Sequence, residues 1–397
     1  MQARRIMLIA GEASGDTLAA ELVGALKQSA LARKFSAPIE FFGAGGPRMA
    51  AAGVSLSLDM TQHAVVGVWE VVKHYPELRG IFNQLVQLAH DRQPDAIILV
   101  DYPGFNLRFA QAVKRLVRSQ GGIFKNWRPK IIGYVSPQIW AWHESRVHQI
   151  ARNFDLLLSI FPFEKAWYAE RVPSFHVEFV GHPLIDRYAQ TQPTQSGNSQ
   201  AAATGESNRP ILFLPGSRER EIKKHLPVML AAARRIIAQQ PRPLIMVVPN
   251  DALAELARQL ASRFPEVPIA IQIGNLAEVL ARAEVAIASS GTVTMECAYF
   301  GVPTVVFYKT SWATYQLGRR LVSVKHLAMP NLLAGETVYP ELIQNDFTPE
   351  NLARETLDLL NHSDRRANIQ ATLKRVIASL GTTGASQRAA DAIVNLF

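Results

Sequence analysis

Residues 96–110, AIILVDYPGFNLRFA, set a carboxylate, Asp101, at the end of an apolar run and just ahead of a Pro-Gly turn. A buried strand has no use for a charge, whereas a strand end facing a ligand has. Partial burial raises a carboxyl pKa toward the range where it can take a proton from a sugar hydroxyl. The plainer use is a helix N-cap or a partner for an arginine. In LPGSRERE, Arg218 falls in the first turn of a helix, where a cation opposes the macrodipole. That placement suggests an anionic ligand, unless Glu219 and Glu221 neutralise the charge. In AIASSGTVTMECA, residues Ser289, Ser290, Gly291 and Thr292 lie between a strand and a helix. Backbone N–H groups and hydroxyls there suit a diphosphate, and Glu296, one turn further on, suits the two hydroxyls of a ribose. Ser290 would serve equally as an N-cap.

Two glycine-rich turns are less specific. In LIAGEASGDTLAAEL, Gly11 and Gly15 flank Glu12 and Ser14 ahead of a helix. Backbone could approach a ligand there, or the glycines could simply make a tight turn. The Lys and spacing of a Walker loop are missing. FFGAGGPRM supplies half of a dinucleotide fingerprint, but Arg48 stands where the third glycine should be. NAD binding is therefore discounted and a structural turn expected. Asn331, in MPNLLAGE, says little by itself. His143, His148 and His182 are scattered and no Asp-x-Asp pair occurs. A metal-bridged diphosphate is disfavoured, so helix N-termini, hydroxyls and arginine would have to stabilise a leaving diphosphate. No cofactor is expected.

These residues follow short apolar runs that alternate with amphipathic helical patterns. RIMLIA precedes DTLAAELVGALK, AIILV precedes NLRFAQAVKRLV, and KIIGYV and DLLLSI follow. Alternation of this kind predicts parallel sheets with crossover helices. Residues 190–209, QTQPTQSGNSQAAATGESNR, lack any hydrophobic period and read as a linker or loop. The pattern then restarts with PILFLPGSR, PLIMVVPN, VPIAIQI, AEVAIASSGT and VPTVVFY. The expectation is an α/β protein of two Rossmann-like, doubly wound domains facing across a cleft: 1–189, a linker at 190–209, and 210–360. Helices in 361–397 would close the chain and could cross back to the first domain. In such sheets ligands bind beyond the carboxyl ends of the strands.

The 397 residues, 48% of them hydrophobic, suit a two-domain enzyme with ample core. The single cysteine, Cys297, leaves no internal disulfide or cysteine zinc site and fits a reducing cytoplasm. The apolar run near the N-terminus is short, lacks a cleavage pattern, and reads as a first strand rather than a signal peptide. No run is long enough to cross a bilayer. A net charge of +9 favours anionic partners. No nucleic-acid signature accompanies it, so phosphate ligands or a membrane surface are expected and nucleic acid is not. In HAVVGVWEVVKHYPELRGIF, residues Val65, Val68, Trp69 and Val72 share one helical face, followed by Lys73, His74 and Arg79. This is either a core helix or an interfacial segment that puts Val and Trp into a membrane, and WAWHESRVHQIAR would extend such a face.

AGEASGD, GAGGPRM, VDYPGFN, YVSPQIWAW, FPFEKAWY, VGHPL, LPGSR, SSGTVTMEC and PNLLAGE stand in the order found in lipid-A-disaccharide synthases, and the chain resembles that family from about Leu8 to Leu360. It departs at Gly104, where a second acidic residue is expected; Asp101 remains as the motif's carboxylate. The resemblance implies a GT-B glycosyltransferase that joins UDP-2,3-diacylglucosamine to 2,3-diacylglucosamine 1-phosphate (lipid X) with inversion, giving a β-1,6 disaccharide 1-phosphate and UDP. It further implies a peripheral protein on the cytoplasmic face of the inner membrane. Asp101 would deprotonate the acceptor 6-hydroxyl, Arg218, Ser290, Gly291 and Thr292 would hold the diphosphate, and Glu296 the ribose. Glu12, Ser14 and Asn331 match motif positions important in the family. A UDP-N-acetylglucosamine 2-epimerase, or a UDP-sugar or lipid-binding protein without catalysis, would share much of this pattern.

Overall fold

A computed structural model describes residues 4–32, 38–60, 75–119, 127–189, 209–311, 315–316 and 324–397. Two compact units emerge: Met1–Asp186 with Leu380–Phe397, and Arg187–Ser379. The interfacial candidates Val65, Val68, Trp69 and Val72 lie outside the described residues, as does the expected linker apart from Arg209.

In the first unit the described strands are β1 (Arg4–Ala10), β2 (Ile39–Gly45), β3 (Ser55–Asp59), β4 (Ala96–Val100), β5 (Lys130–Tyr134), β6 (Leu156–Ser159) and β7 (Val177–Phe179). They form one parallel sheet in the order β3-β2-β1-β4-β5-β6-β7. Helices on both faces explain why the central strands read as unbroken apolar runs, without the alternation of a half-solvated sheet. All five residues of β4 are buried. The order reverses between β1 and β4, which opens the crevice where doubly wound sheets bind ligands. The residues leaving those two strands are Gly11-Glu12 and Asp101.

The second unit repeats the scheme with β8 (Ile211–Leu214), β9 (Leu244–Val248), β10 (Ile269–Ile273), β11 (Val285–Ser289), β12 (Thr304–Tyr308) and β13 (Glu341–Ile343). Their order is β10-β9-β8-β11-β12-β13. Here the reversal falls between β8 and β11, whose exits carry Pro215–Arg218 and Ser290–Thr292.

The C-terminal segment, expected as one group of helices, is divided. Ser363–Ser379 stays with the second unit, while Ala385–Val394 packs on the first unit's helix Ala13–Ala32. Arg388 fastens that return, donating from Nε to the Val180 carbonyl at 2.8 Å and from Nη1 and Nη2 to Thr383 and Thr382. Gly181 of VGHPL has φ +87°, and a Cβ there would come within 2.6 Å of Arg388 Nη2. The glycine seats this joint.

Candidate active site

The loop leaving β4 is strained. Asp101 and Tyr102 have φ of +49° and +51°, consecutive left-handed residues without the freedom of glycine. Asp101 N–H donates to the Tyr134 carbonyl at 2.9 Å. Asn106, on the buried face of the helix Pro103–Ser119, donates through Nδ2 to the carbonyls of both Val100 and Asp101. Its Oδ1 is buried without a hydrogen-bond partner. The Tyr102 carbonyl, not the Asp101 side chain, receives the first helical N–H groups, from Phe105 and Asn106. Asp101 is therefore not used as the N-cap of this helix. Burial pushes its carboxyl above the ordinary carboxylate range, and the nearby Glu12 charge adds to that, against a hydrogen bond from Tyr102 N–H.

Glu12 follows β1 and raises the Tyr102 phenol as well, after burial. The AGE and DYPG motifs also meet sterically: a Cβ on Gly11 would lie 2.3 Å from the Tyr102 ring. Gly11 is thus glycine because an aromatic ring rests on it. A Cβ on Gly15 would make only ordinary contacts. Ser14 is exposed in the first turn of Ala13–Ala32.

Sequence reasoning missed Asp16. Its buried carboxylate accepts from the N–H groups of Gly46, Arg48 and Met49 at 2.9–3.0 Å. The helix Pro47–Ala51 is capped from within, so the GAGG turn is structural, as its failed fingerprint indicates. Gly43 is required by close approach, since a Cβ would lie 1.9 Å from the Leu8 carbonyl oxygen. An acid in the first turn of the preceding helix was the available signal. Asp16→Ala strips three charge-assisted hydrogen bonds from buried backbone and should destabilise the unit by roughly 3–5 kcal/mol, read as a lowered urea midpoint.

In the second unit, Arg218 occupies the N-cap position of Glu219–Gln239 in extended conformation. Its Nη1 lies 3.2 Å from Glu221 Oε1, and Glu221 Oε2 accepts from Ser217 N–H at 2.9 Å. The neutralising carboxylate is therefore Glu221. On the exit of β11, Gly291 and Thr292 are exposed and a Cβ at Gly291 would meet open space. Ser290 N–H donates to Phe307 O at 2.8 Å and its hydroxyl contacts Leu327 O at 3.4 Å. The helix Val293–Tyr299 begins after Thr292, and no side chain caps it.

Glu296 is mostly buried, which raises its pKa; Arg187, 3.9 Å away, and a hydrogen bond from Tyr188 oppose that. The Tyr188 ring packs against Tyr299 and Phe300. Both partners come from the end of the helix Pro183–Ala189, which carried no recognisable signal.

Asn331 lies in the second unit. It is fully buried, donates to Tyr339 O and Glu341 Oε1, and accepts from the N–H groups of Val338 and Tyr339. Both ends of its amide are engaged. Glu341, not anticipated, accepts from Leu327 N–H, Ala328 N–H and Asn331. The pair shapes the chain against which Ser290 rests. Among the described residues, no group of three or more His, Cys, Asp and Glu is placed to hold a metal ion.

Two doubly wound units, each with polar residues at its switch point, define the GT-B class. Solved structures share the fold across nearly the whole chain. The Staphylococcus aureus MnaA–UDP structure superposes with TM-score 0.62 at 15% identity, covering 99% of this chain and 98% of that one. The Neisseria meningitidis UDP-GlcNAc 2-epimerase bound to UDP-GlcNAc gives 0.62 at 10% identity over 100% of both. Acinetobacter baumannii MurG gives 0.57 at 15%, covering 99% and 100%.

The family is settled at the level of sequence. The model for lipid-A-disaccharide synthetase matches residues 6–395. Lipid-A-disaccharide synthase of Nitrosococcus oceani is 38% identical over 98% of this chain and 95% of its own, and that of Syntrophus aciditrophicus 39% over 98% and 97%. The chain belongs to the lipid-A-disaccharide synthase family, and it is a glycosyltransferase. Among the described residues, no helix is long and apolar enough to cross a membrane.

Proposed function

We propose that the protein transfers 2,3-diacylglucosamine from its UDP derivative to the 6-hydroxyl of lipid X, with inversion at the anomeric carbon. The observation that carries the reading is Asp101, held left-handed at the switch point beside Glu12 with its pKa raised. A carboxylate so placed is a stronger base than an exposed one. It removes the hydroxyl proton as the oxygen attacks. Departing UDP gains negative charge, which Arg218, the hydroxyls of Ser290 and Thr292 and the N–H groups around Gly291 offset. Glu296, oriented by Arg187 and Tyr188, accepts the ribose hydroxyls. Glu12 and Ser14 border the acceptor sugar, and Asn331 positions the Ser290 turn.

Both sugars carry acyl chains, so the protein works at the cytoplasmic surface of the inner membrane. The net charge of +9 suits anionic lipid, and the exposed Trp142, under the Arg146 guanidinium at 5.0 Å, suits the head-group region. The test is a transfer assay with UDP-diacylglucosamine and lipid X in detergent micelles. Disaccharide 1-phosphate and UDP are expected in equal amounts, with no turnover of UDP-N-acetylglucosamine. Epimerisation of that soluble sugar without disaccharide would overturn the reading.

A further inference from the structure

Two motifs, YVSPQIWAW and FPFEKAWY, take no part in this mechanism, yet they meet at one buried side chain. Glu164, on the helix Pro162–Arg171, is inaccessible to solvent. Its Oε2 lies 2.6 Å from Ser159 Oγ, its Oε1 accepts from Trp140 Nε1 at 3.0 Å, and Ser136 Oγ and Phe161 N–H lie close enough to favour its charged form. Ser159 and Phe161 leave β6; Ser136 and Trp140 leave β5. Glu164 therefore ties together the exits of two neighbouring strands.

The hydroxyl of Ser159 shows how the tie is made. It has one proton and two acceptors in range, Phe161 O at 2.8 Å and Glu164 Oε2 at 2.6 Å. Each contact has a proton of its own when Glu164 is the neutral acid, which can donate to Ser159 while Ser159 donates to Phe161 O; with Glu164 ionised, the two acceptors must share the one Ser159 proton. An ionised Glu164 would capture the Ser159 proton, leave Phe161 O with only the long 3.3 Å contact from Glu164 N–H, and bury a charge. No cation counters that charge among the described contacts. Tyr168, from the same helix, faces it through Ser136, with the two hydroxyls 3.3 Å apart, and is itself held neutral by burial. His182 packs on the Phe161 ring, and Lys165 points to solvent.

The tied segment borders the reaction. Val135, with φ +71°, is a strained β-branched residue. Val135 and Pro137 share a small interior gap with Asp101 and Asn106, and the carbonyl of Tyr134 receives the Asp101 N–H.

We infer that Glu164 is a positioning residue that works as the neutral acid: its proton completes the hydrogen-bond chain that braces the Val135–Trp140 segment beside Asp101, and ionisation releases that brace. Burial lifts its pKa from 4.5 to about 7, against the lowering effect of its hydrogen bonds. The sign follows. Below about 4.5 both folded and unfolded states are protonated. Between there and about 7 the unfolded chain loses the proton first, so stability falls as pH rises, then levels off. The rising limb from Asp101 and the falling limb from Glu164 make a bell-shaped profile.

Glu164→Gln tests this, because an amide reproduces the neutral acid: its NH2 donates to Ser159 and its oxygen accepts from Trp140. Wild type, Glu164→Gln and Glu164→Ala are compared in urea unfolding and in transfer kinetics over about pH 5–9. The stability of wild type relative to Gln is expected to fall up to about pH 7 and then hold. Wild-type kcat should drop roughly three- to tenfold from about pH 7 to about pH 9 with donor KM little changed, Gln should lack that limb, and Ala should lose kcat at every pH. A stability difference independent of pH, or a Gln variant whose kcat falls with pH as wild type does, overturns the inference. The kinetic arm rests on the transfer reading and the unfolding arm does not. If wild type makes no disaccharide, that reading fails while unfolding still decides the protonation of Glu164.

Discussion

Asp101→Asn lowers kcat for disaccharide formation by roughly 10²–10⁴-fold and leaves UDP affinity within about twofold. The amide keeps the size of the side chain and can still accept from Tyr102 N–H, so the left-handed turn pinned by Asn106 should survive. What it loses is basicity. UDP affinity is spared because the residues assigned to the nucleotide, Arg218, Ser290–Thr292 and Glu296, belong to the other unit. Activity requires the ionised carboxylate, so kcat/KM rises with pH through a pKa displaced above 3.8. Glu12 contributes to that displacement by charge repulsion. Glu12→Gln should therefore move the acid limb to lower pH, a shift that a purely structural Glu12 would not produce. Isothermal titration with UDP beside the transfer assay checks both statements. Near-wild-type turnover by Asp101→Asn would remove the base assignment.

How much of this was legible in the sequence depended on the range of the interaction. Strands such as Ala96–Val100 and Leu244–Val248 announced themselves because burial on both faces leaves a local apolar run. The strand ends followed from two such series, and with them the placement of Asp101, Arg218 and Ser290 just beyond those ends, whereas the strand order and its reversals did not. The work of a polar residue depends on groups far away in the chain, which no local pattern encodes. Asp16 is spent on N–H groups thirty and more residues away. Asn331, which said little by itself in the sequence, spends its amide on Val338, Tyr339 and Glu341. Arg388 and Gly181 were unreadable as a pair, since the chain returns from the second unit before they meet. Glycines divided the same way: Gly11 needs Tyr102, ninety-one positions on, to explain it, whereas Gly291, in open space, keeps its steric freedom unused by the protein itself.

Arg218→Ala should lower kcat by roughly 10²–10³-fold, and Arg218→Lys should recover only part of it, because a point charge does not reproduce a planar fork on a phosphate. The alternative is that Arg218 serves only Glu221. The two are paired at 3.2 Å, and Arg218 is substantially exposed. An exposed pair of this kind contributes about 0–1 kcal/mol, so on that alternative the alanine variant would be slightly less stable and fully active. Glu221 separates the cases. Its carboxylate holds Ser217 N–H and Arg218 together, the donors that a diphosphate would engage at the head of Glu219–Gln239. A diphosphate bound as proposed would compete with Glu221 for these donors. Glu221→Gln weakens the competing acceptor without removing the side chain that supports the turn, so UDP should bind several-fold more tightly, and Arg218→Ala should abolish that gain. A double-mutant cycle on UDP affinity reads the coupling directly. Independent effects of the two substitutions would return Arg218 to the role of a surface ion pair.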